Sequence, residues 1–325
     1  MASLRDWQIA PARQPKPGDY PFDLDPVLGA VVGIHSIVPE DAFTAETLGT
    51  ERAGNGIFIR EGVILTIGYL ITEAETIWVS LSDGTVVPGH PLAYDQETGF
   101  GLVQVLAHVD LPPIKLGFSG AHQPGTRVVM AGAGGRKHSV AAWIVAKQEF
   151  AGYWEYVLDE AIFTAPAHPF WGGAALIGPQ GDLLGIGSLQ VEQRSENGEG
   201  AHLNMVVPID LLRAILEDML TTGRPNKPPR PWLGVFATEL EGKVFVAGVA
   251  SGGPAERAGL KAADLLVSVA GSEVTGLANL FRRIWALGSA GVEVPLIVHR
   301  DGRTFQLTVP SGDRNTFLKA PKLHS

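Results

Sequence analysis

Between residues 31 and 207 the apolar positions fall into short, β-branched runs: GIFIRE, VILTIGYLI, TIWVSLSDG, GLVQVL, RVVMAG, AAWIVAK, EYVLD, LLGIGSL and HLNMVV. Glycine, proline, aspartate or asparagine interrupts them roughly every ten residues, the spacing of sandwich or barrel strands joined by hairpins. Ser82-Asp83-Gly84 and Gln180-Gly181-Asp182 supply natural turn tips. At Pro208 the period changes. Leu211, Leu212, Ile215, Leu216, Met219 and Leu220 recur at helical spacing, with Gly223 and Pro225 beyond them, which predicts one amphipathic helix. After the proline-rich NKPPRP, the pattern returns to strands at KVFVAGV, DLLVSVAG, VPLIVHR and TFQLTV. Helices are predicted at PAERAGL and at LANLFRRIWALG, whose Leu277, Leu280, Phe281, Ile284 and Leu287 share one face.

These changes of pattern divide the chain into an N-terminal arm (1–28), a β-rich domain (29–223), a stiff linker (224–231), a second domain (232–312) and a tail (313–325). The composition agrees: 40 glycines and 23 prolines among 325 residues mean many turns, so the fold class is mainly β. A net charge of −9 without a long basic run argues against nucleic acid and anionic membrane surfaces as partners. No cysteine is present, which removes disulfides and thiolate chemistry. The nine histidines show no ligand spacing, so neither metal nor cofactor is expected. The N-terminal residues lack a continuous apolar stretch of signal length, so a cytoplasmic location is expected, or a periplasmic one if a leader has been trimmed.

Several blocks occur in a familiar order: GNGIFIREGVILTIGYLI, SLSDG, YDQETGFGLVQV, TAPAHPFWGGAALIGPQGDLLGIGS, WLGVF and SGGPAERAGLKAADLLVSVAGSEV. Together they resemble the HtrA (Deg) serine proteases over roughly residues 29 to 312. The resemblance implies a trypsin-like double β-barrel followed by an α+β PDZ domain.

Carried over position by position, the resemblance places Tyr69, Gly99 and Trp171 where the family has histidine, aspartate and serine. Pro169 stands at a position that supplies an oxyanion N–H in the family, and proline has none. An indole is no substitute for a hydroxyl, and a phenol of ordinary pKa near 10 is a poor base at neutrality. The expectation is therefore a catalytically inactive pseudoprotease, not an enzyme, that serves as a protein-binding scaffold or adaptor. Its rivals are a structural subunit of a larger enzyme complex and a hydrolase rebuilt around His168 and Tyr69. Trp171 is read as a plug for the vacated cleft in preference to an anchor for a partner.

In the second domain, Trp232, Leu233, Gly234 and Val235 resemble the PDZ loop that turns backbone N–H groups toward a peptide's terminal carboxylate. The peptide would pair beside Val235 to Thr238, with its last side chain against Leu280, Phe281 and Ile284. The expected partner is a protein or peptide C-terminus, unless the tail or linker fills the groove. Ala263 replaces a glycine of the family's turn, and Arg230 could attract the peptide's charge. The resemblance also implies a homotrimer, with Tyr20 and Phe22 as contacts.

Overall fold

A computed structural model describes residues 7–194 and 200–320. The chain divides into two compact units. The first comprises residues 1–148, 160–226 and 319–325; the second comprises Glu149–Asp159 with Lys227–Leu318. The second unit thus includes eleven residues that lie, in sequence, in the middle of the first.

The first unit holds two closed six-stranded barrels. Strands β1 (Val31–Ile37), β2 (Glu51–Arg60), β3 (Val63–Ile67), β4 (Thr76–Ser80), β5 (Val86–Tyr94) and β6 (Phe100–Val105) close in the order β1-β2-β3-β6-β5-β4. Strands β7 (Arg127–Ala131), β8 (Ser139–Gly152), β9 (Tyr156–Ala165), β10 (Ala175–Ile177), β11 (Leu183–Arg194) and β12 (Gly200–Pro208) close in the order β10-β11-β12-β9-β8-β7. Closure leaves no free sheet edge, which suits strands as apolar as these. All five residues of β3 are buried, with Ile64, Leu65, Phe58, Phe100 and Leu102 at the heart of the first barrel.

The arm is part of this unit and not an appendage. Ile9 is buried in the second barrel's core with Val128, Met130, Ile144 and Leu176, and Trp7 packs against the same cluster. Tyr20, expected to face another subunit, is buried within its own chain beside Phe22 and under the Arg127 guanidinium. The tail expectation also changes. Asp313 caps a short turn over Arg314–Phe317, Phe317 lies 4.8 Å from the Trp232 ring, and the Lys319 amide donates to Glu73 at 2.9 Å. Residues 1–6 and 321–325 of the expected arm and tail lie outside the described residues.

The helix predicted after Pro208 is broken in two, Asp210–Arg213 and Leu216–Thr222. Its first turn is pinned from outside. The Asp210 carboxylate accepts from the amides of Ser119 and Gly120, and Arg213 donates to the Leu116 carbonyl at 3.0 Å. Held there, the turn keeps tight i→i−3 bonds from Leu212 to Ile209 and from Ile215 to Leu212 before the regular helix resumes.

The second unit carries the strands β13 (Val235–Leu240), β14 (Lys243–Val249), β15 (Leu265–Val269), β16 (Ser272–Glu273), β17 (Glu293–Arg300) and β18 (Arg303–Pro310), in the order β13-β14-β15-β17-β18 with β16 paired to β15. The helix Leu277–Trp285 buries Leu280, Phe281 and Ile284 against the sheet, as its spacing predicts. The fold expectation is met: a mainly β chain with a trypsin-like domain followed by a PDZ domain.

Candidate functional site

Two regions carry the residues singled out in the sequence. In the first unit, Tyr69 lies in a single 3-10 turn, Gly68–Leu70, directly after β3. Its hydroxyl donates to the Ser188 carbonyl at 2.9 Å, and the Trp171 side chain bonds to the same hydroxyl. Burial pushes the phenol's pKa well above its ordinary value, and the Trp171 bond offsets only part of that. Trp171 itself is half-buried.

The loop around Trp171 has its shape for steric reasons. Gly173 has φ +73°, and a Cβ placed on it would lie 1.8 Å from the Asn55 carbonyl oxygen, so no other residue fits. Asn55 ties the loop to its surroundings. Its Nδ2 donates to the carbonyls of Phe170 and Gly172 at 3.0 and 3.1 Å, its main-chain N–H donates to Gly172 at 2.8 Å, and its Oδ1 accepts from the Ala133 amide at 2.9 Å. Sequence reasoning missed Asn55, although a single asparagine inside the apolar run GNGIFI is a visible anomaly.

Gly99 also has a backbone role, with φ +82° and a carbonyl that accepts from the Gly68 amide at 2.7 Å. The adjacent Asp95 is absorbed by its own turn, accepting from the amide and hydroxyl of Thr98 at 2.9 and 2.7 Å. His168 is fully buried and its surroundings are complete. Its Nε2 is bonded to the His138 carbonyl at 2.8 Å, its Nδ1 accepts from the Phe170 amide at 3.1 Å, and its main-chain N–H donates to Asn204 at 2.6 Å. That pattern fixes a neutral ring with the proton on Nε2, and burial lowers the pKa to about 4. The rebuilt relay imagined around His168 and Tyr69 is not assembled, since each group is bonded to other partners. Pro169 follows His168 in its loop.

In the second unit, the loop expected to receive a peptide's terminal carboxylate holds a side-chain carboxylate of its own chain, on three of its four residues. The amides of Leu233, Gly234 and Val235 all converge on the carboxylate of Glu155. Leu233 N donates to both oxygens at 3.2 and 3.1 Å, Gly234 N to Oε1 at 2.7 Å and Val235 N to Oε1 at 2.9 Å. Gly234 has φ +76°, which turns its amide inward, and Trp232 anchors the loop by exchanging backbone bonds with Gly312. Beside the loop, the Ala237 amide of β13 donates to the Tyr153 carbonyl at 2.8 Å. Leu280, Phe281 and Ile284 line the same apolar cluster, in which Val157 is buried with Leu233 and Val235. Burial pushes the Glu155 carboxyl up to about 7, against the opposing pull of the three amides and of Arg314. Arg230 lies over the Trp285 ring at 4.4 Å.

The segment bonded to this loop and to β13 is neither the tail nor the linker, the two occupants expected from the sequence, but the hairpin tip within Glu149–Asp159. Glu155 was not foreseen. The available signal was the crowding of Phe150, Tyr153, Trp154 and Tyr156 around a single acid.

Comparison with known proteins bears on both regions. Residues 54–186 match the trypsin-like peptidase domain family and residues 231–310 the PDZ domain family. A probable periplasmic serine endoprotease, DegP-like, from Pseudomonas fulva is 31% identical over 276 residues, covering 81% of this chain and 56% of that protein. The serine protease Do-like HtrA of Bacillus subtilis is 23% identical over 323 residues, covering 89% of this chain and 71% of that one. Among solved structures, the HtrA-type protease AlgW with tripeptide gives a TM-score of 0.51 at 23% identity, covering 91% of this chain and 95% of the other, a likeness of fold. The chain spans about 56% of the length of the DegP-like relative.

These relatives correct two expectations. The reading of a catalytically inactive, non-enzymatic scaffold is overturned by their names, which are those of serine endoproteases. The cytoplasmic location finds no support, because the DegP-like relatives are named periplasmic. Among the described residues no helix is long and apolar enough to cross a membrane, and no group of three or more metal-ligating side chains occurs.

Proposed function

For a chain that is HtrA/DegP-like, with a trypsin-like peptidase domain followed by a PDZ domain, we propose a polypeptide-directed function in which the PDZ groove binds carboxyl-terminal segments. One observation carries this reading: three successive amides, Leu233 to Val235, point at a single carboxylate. Such a convergence of donors is worth far more to an anion than to a neutral group. β13 offers the backbone amide of Ala237 for strand addition, and the cluster of Leu280, Phe281 and Ile284 offers an apolar seat for the last side chain. The test compares a peptide ending in a free carboxylate with its C-terminal amide, titrated to millimolar concentration against the full chain. The carboxylate form should bind at least about tenfold tighter; equal binding would remove the proposal.

The names of the relatives favour endoproteolysis as the second element of this function, in the periplasm. We assign Tyr69, Gly99 and Trp171 to the positions of the family's base, orienting acid and nucleophile. With an indole and an enclosed phenol at two of them, hydrolysis requires a nucleophile and a base drawn from other residues. Incubation with unfolded casein, read by mass spectrometry, tests it. New fragments from a homogeneous preparation support proteolysis, and intact casein after prolonged incubation removes it while leaving peptide binding in place. The homotrimer implied by the resemblance is read by sedimentation.

A further inference from the structure

The hairpin between β8 and β9 offers three kinds of contact expected of an extended ligand of the groove: a carboxylate, a strand carbonyl and an apolar side chain. Glu155 supplies the carboxylate, with four amide-to-carboxylate contacts and almost no exposure to solvent. The Tyr153 carbonyl supplies the strand contact, accepting from Ala237 of β13. Val157 supplies the apolar side chain, buried in the cluster that contains Leu233, Val235, Phe281 and Ile284. We infer that this tip is a built-in competitor: it holds the groove closed to carboxyl-terminal peptides until one displaces it.

Three further features fit a segment that docks and not merely a loop that turns. Arg282, on the helix flanking the groove, bridges both stems of the hairpin, pairing with Glu149 and with Asp159, the latter at 2.5 Å. These ion pairs are largely exposed, so they orient the tip without locking it. Glu155 has φ +60°, a conformation that disfavours a residue with a side chain, and its three donors compensate for it only while the carboxylate is docked. The aromatic rings of Trp154 and Tyr156 stack at 5.5 Å, with Tyr153 edge-on to Trp154 at 4.9 Å, so the tip carries its own packing. The ligand class that can displace it follows from what it occupies: a segment with a free terminal carboxylate and an apolar last side chain, able to extend β13.

The inference rests on the proposed peptide-binding role of the groove. Its test uses the full chain and a fluorescein-labelled, alanine-rich decapeptide ending in valine with a free carboxylate, together with the same peptide amidated. Affinity is read by anisotropy for the wild-type chain and for Glu155→Ala. Removing the competitor's charged acceptor should tighten binding of the carboxylate peptide at least about tenfold, because the fraction of open groove sets the apparent affinity. In the wild-type chain, saturating peptide should raise hydrogen exchange at residues 150–157 while residues 233–237 stay protected. This second measurement decides the matter if the variant does not fold. Equal affinity of the two chains, with unchanged exchange in the hairpin, overturns the built-in competitor and leaves the groove as a peptide site. Binding of the carboxylate peptide to neither chain overturns the peptide-binding proposal itself.

Discussion

The Glu155 carboxylate lies 2.7 Å from the Gly234 amide, with the amides of Leu233 and Val235 on the same anion. A carboxylate so placed is caught between two effects. The donors favour its charged form, while loss of solvent favours the neutral one, and the second is larger.

That balance gives a pH dependence with a definite sign. The carboxyl group's pKa rises from 4.5 when the tip is free in solvent to about 7 when it is docked. Docking therefore takes up a proton, and its contribution to stability is complete below about pH 4.5 and declines as pH rises through 7. The charged group facing Glu155 is Arg314, which opposes the shift without reversing it. Hydrogen exchange at residues 233–246, corrected for intrinsic rate, should report protection weaker by about 2 kcal/mol at pH 8 than at pH 5. Glu155→Gln should flatten the profile.

His168 slopes the other way. It is neutral and buried with a pKa of about 4, whereas in the unfolded chain it titrates near 6.5. The unfolded state therefore binds the extra proton first, and the first unit loses stability as pH falls from about 6.5 to 4, by up to about 3 kcal/mol. Urea denaturation at stepped pH, followed by exchange at residues 162–177, should show this acid limb. The two units of one chain should thus respond to acid in opposite directions, and parallel responses would contradict the environment of one of the two groups.

Gly173→Ala should be among the most damaging substitutions in the first unit. The new methyl would meet the Asn55 carbonyl at 1.8 Å in a left-handed conformation. A loss of at least about 4 kcal/mol is expected, enough to abolish folding in a marginally stable domain. Soluble yield and thermal denaturation check it.

Ala263→Gly should do the reverse in the second unit. Ala263 sits at φ +70° in the turn before β15, where the resembled family has glycine. The left-handed region costs alanine about 1 kcal/mol, and relief should exceed the entropy gained by the unfolded chain. A rise in the urea midpoint with unchanged slope is the expected result.

Much of the architecture could be read from periodicity. The barrel strands and the helix Leu277–Trp285 follow from local pattern, because burial on one face writes itself into the spacing, whereas the loop at Trp232–Val235 is legible only through its resemblance to PDZ domains. The divided helix did not follow, since its break is imposed by Asp210 and Arg213 reaching the loop at 116–120, contacts about ninety residues away in sequence. Glu155 was hidden for a similar reason. Its role depends on a partner 79 residues further on, and in isolation EYVLD reads as an ordinary strand. Trp171 and Tyr69 share a hydrogen bond, but the inference of chemical idleness drawn from them is overruled by the names of the relatives. His168 looked like a candidate base only while its backbone partners were unknown.

Asn55 belongs to a strand of one barrel and holds backbone from the connections of the other, at Ala133, Phe170 and Gly172. Losing the second barrel would strand this buried amide without partners, and losing the first would leave the Ala133 amide and the Phe170 and Gly172 carbonyls without theirs. Neither barrel should then survive as an independent fragment. Splitting the chain between them, at the segment joining β6 to β7, should yield two pieces that are insoluble apart and recover structure only when mixed.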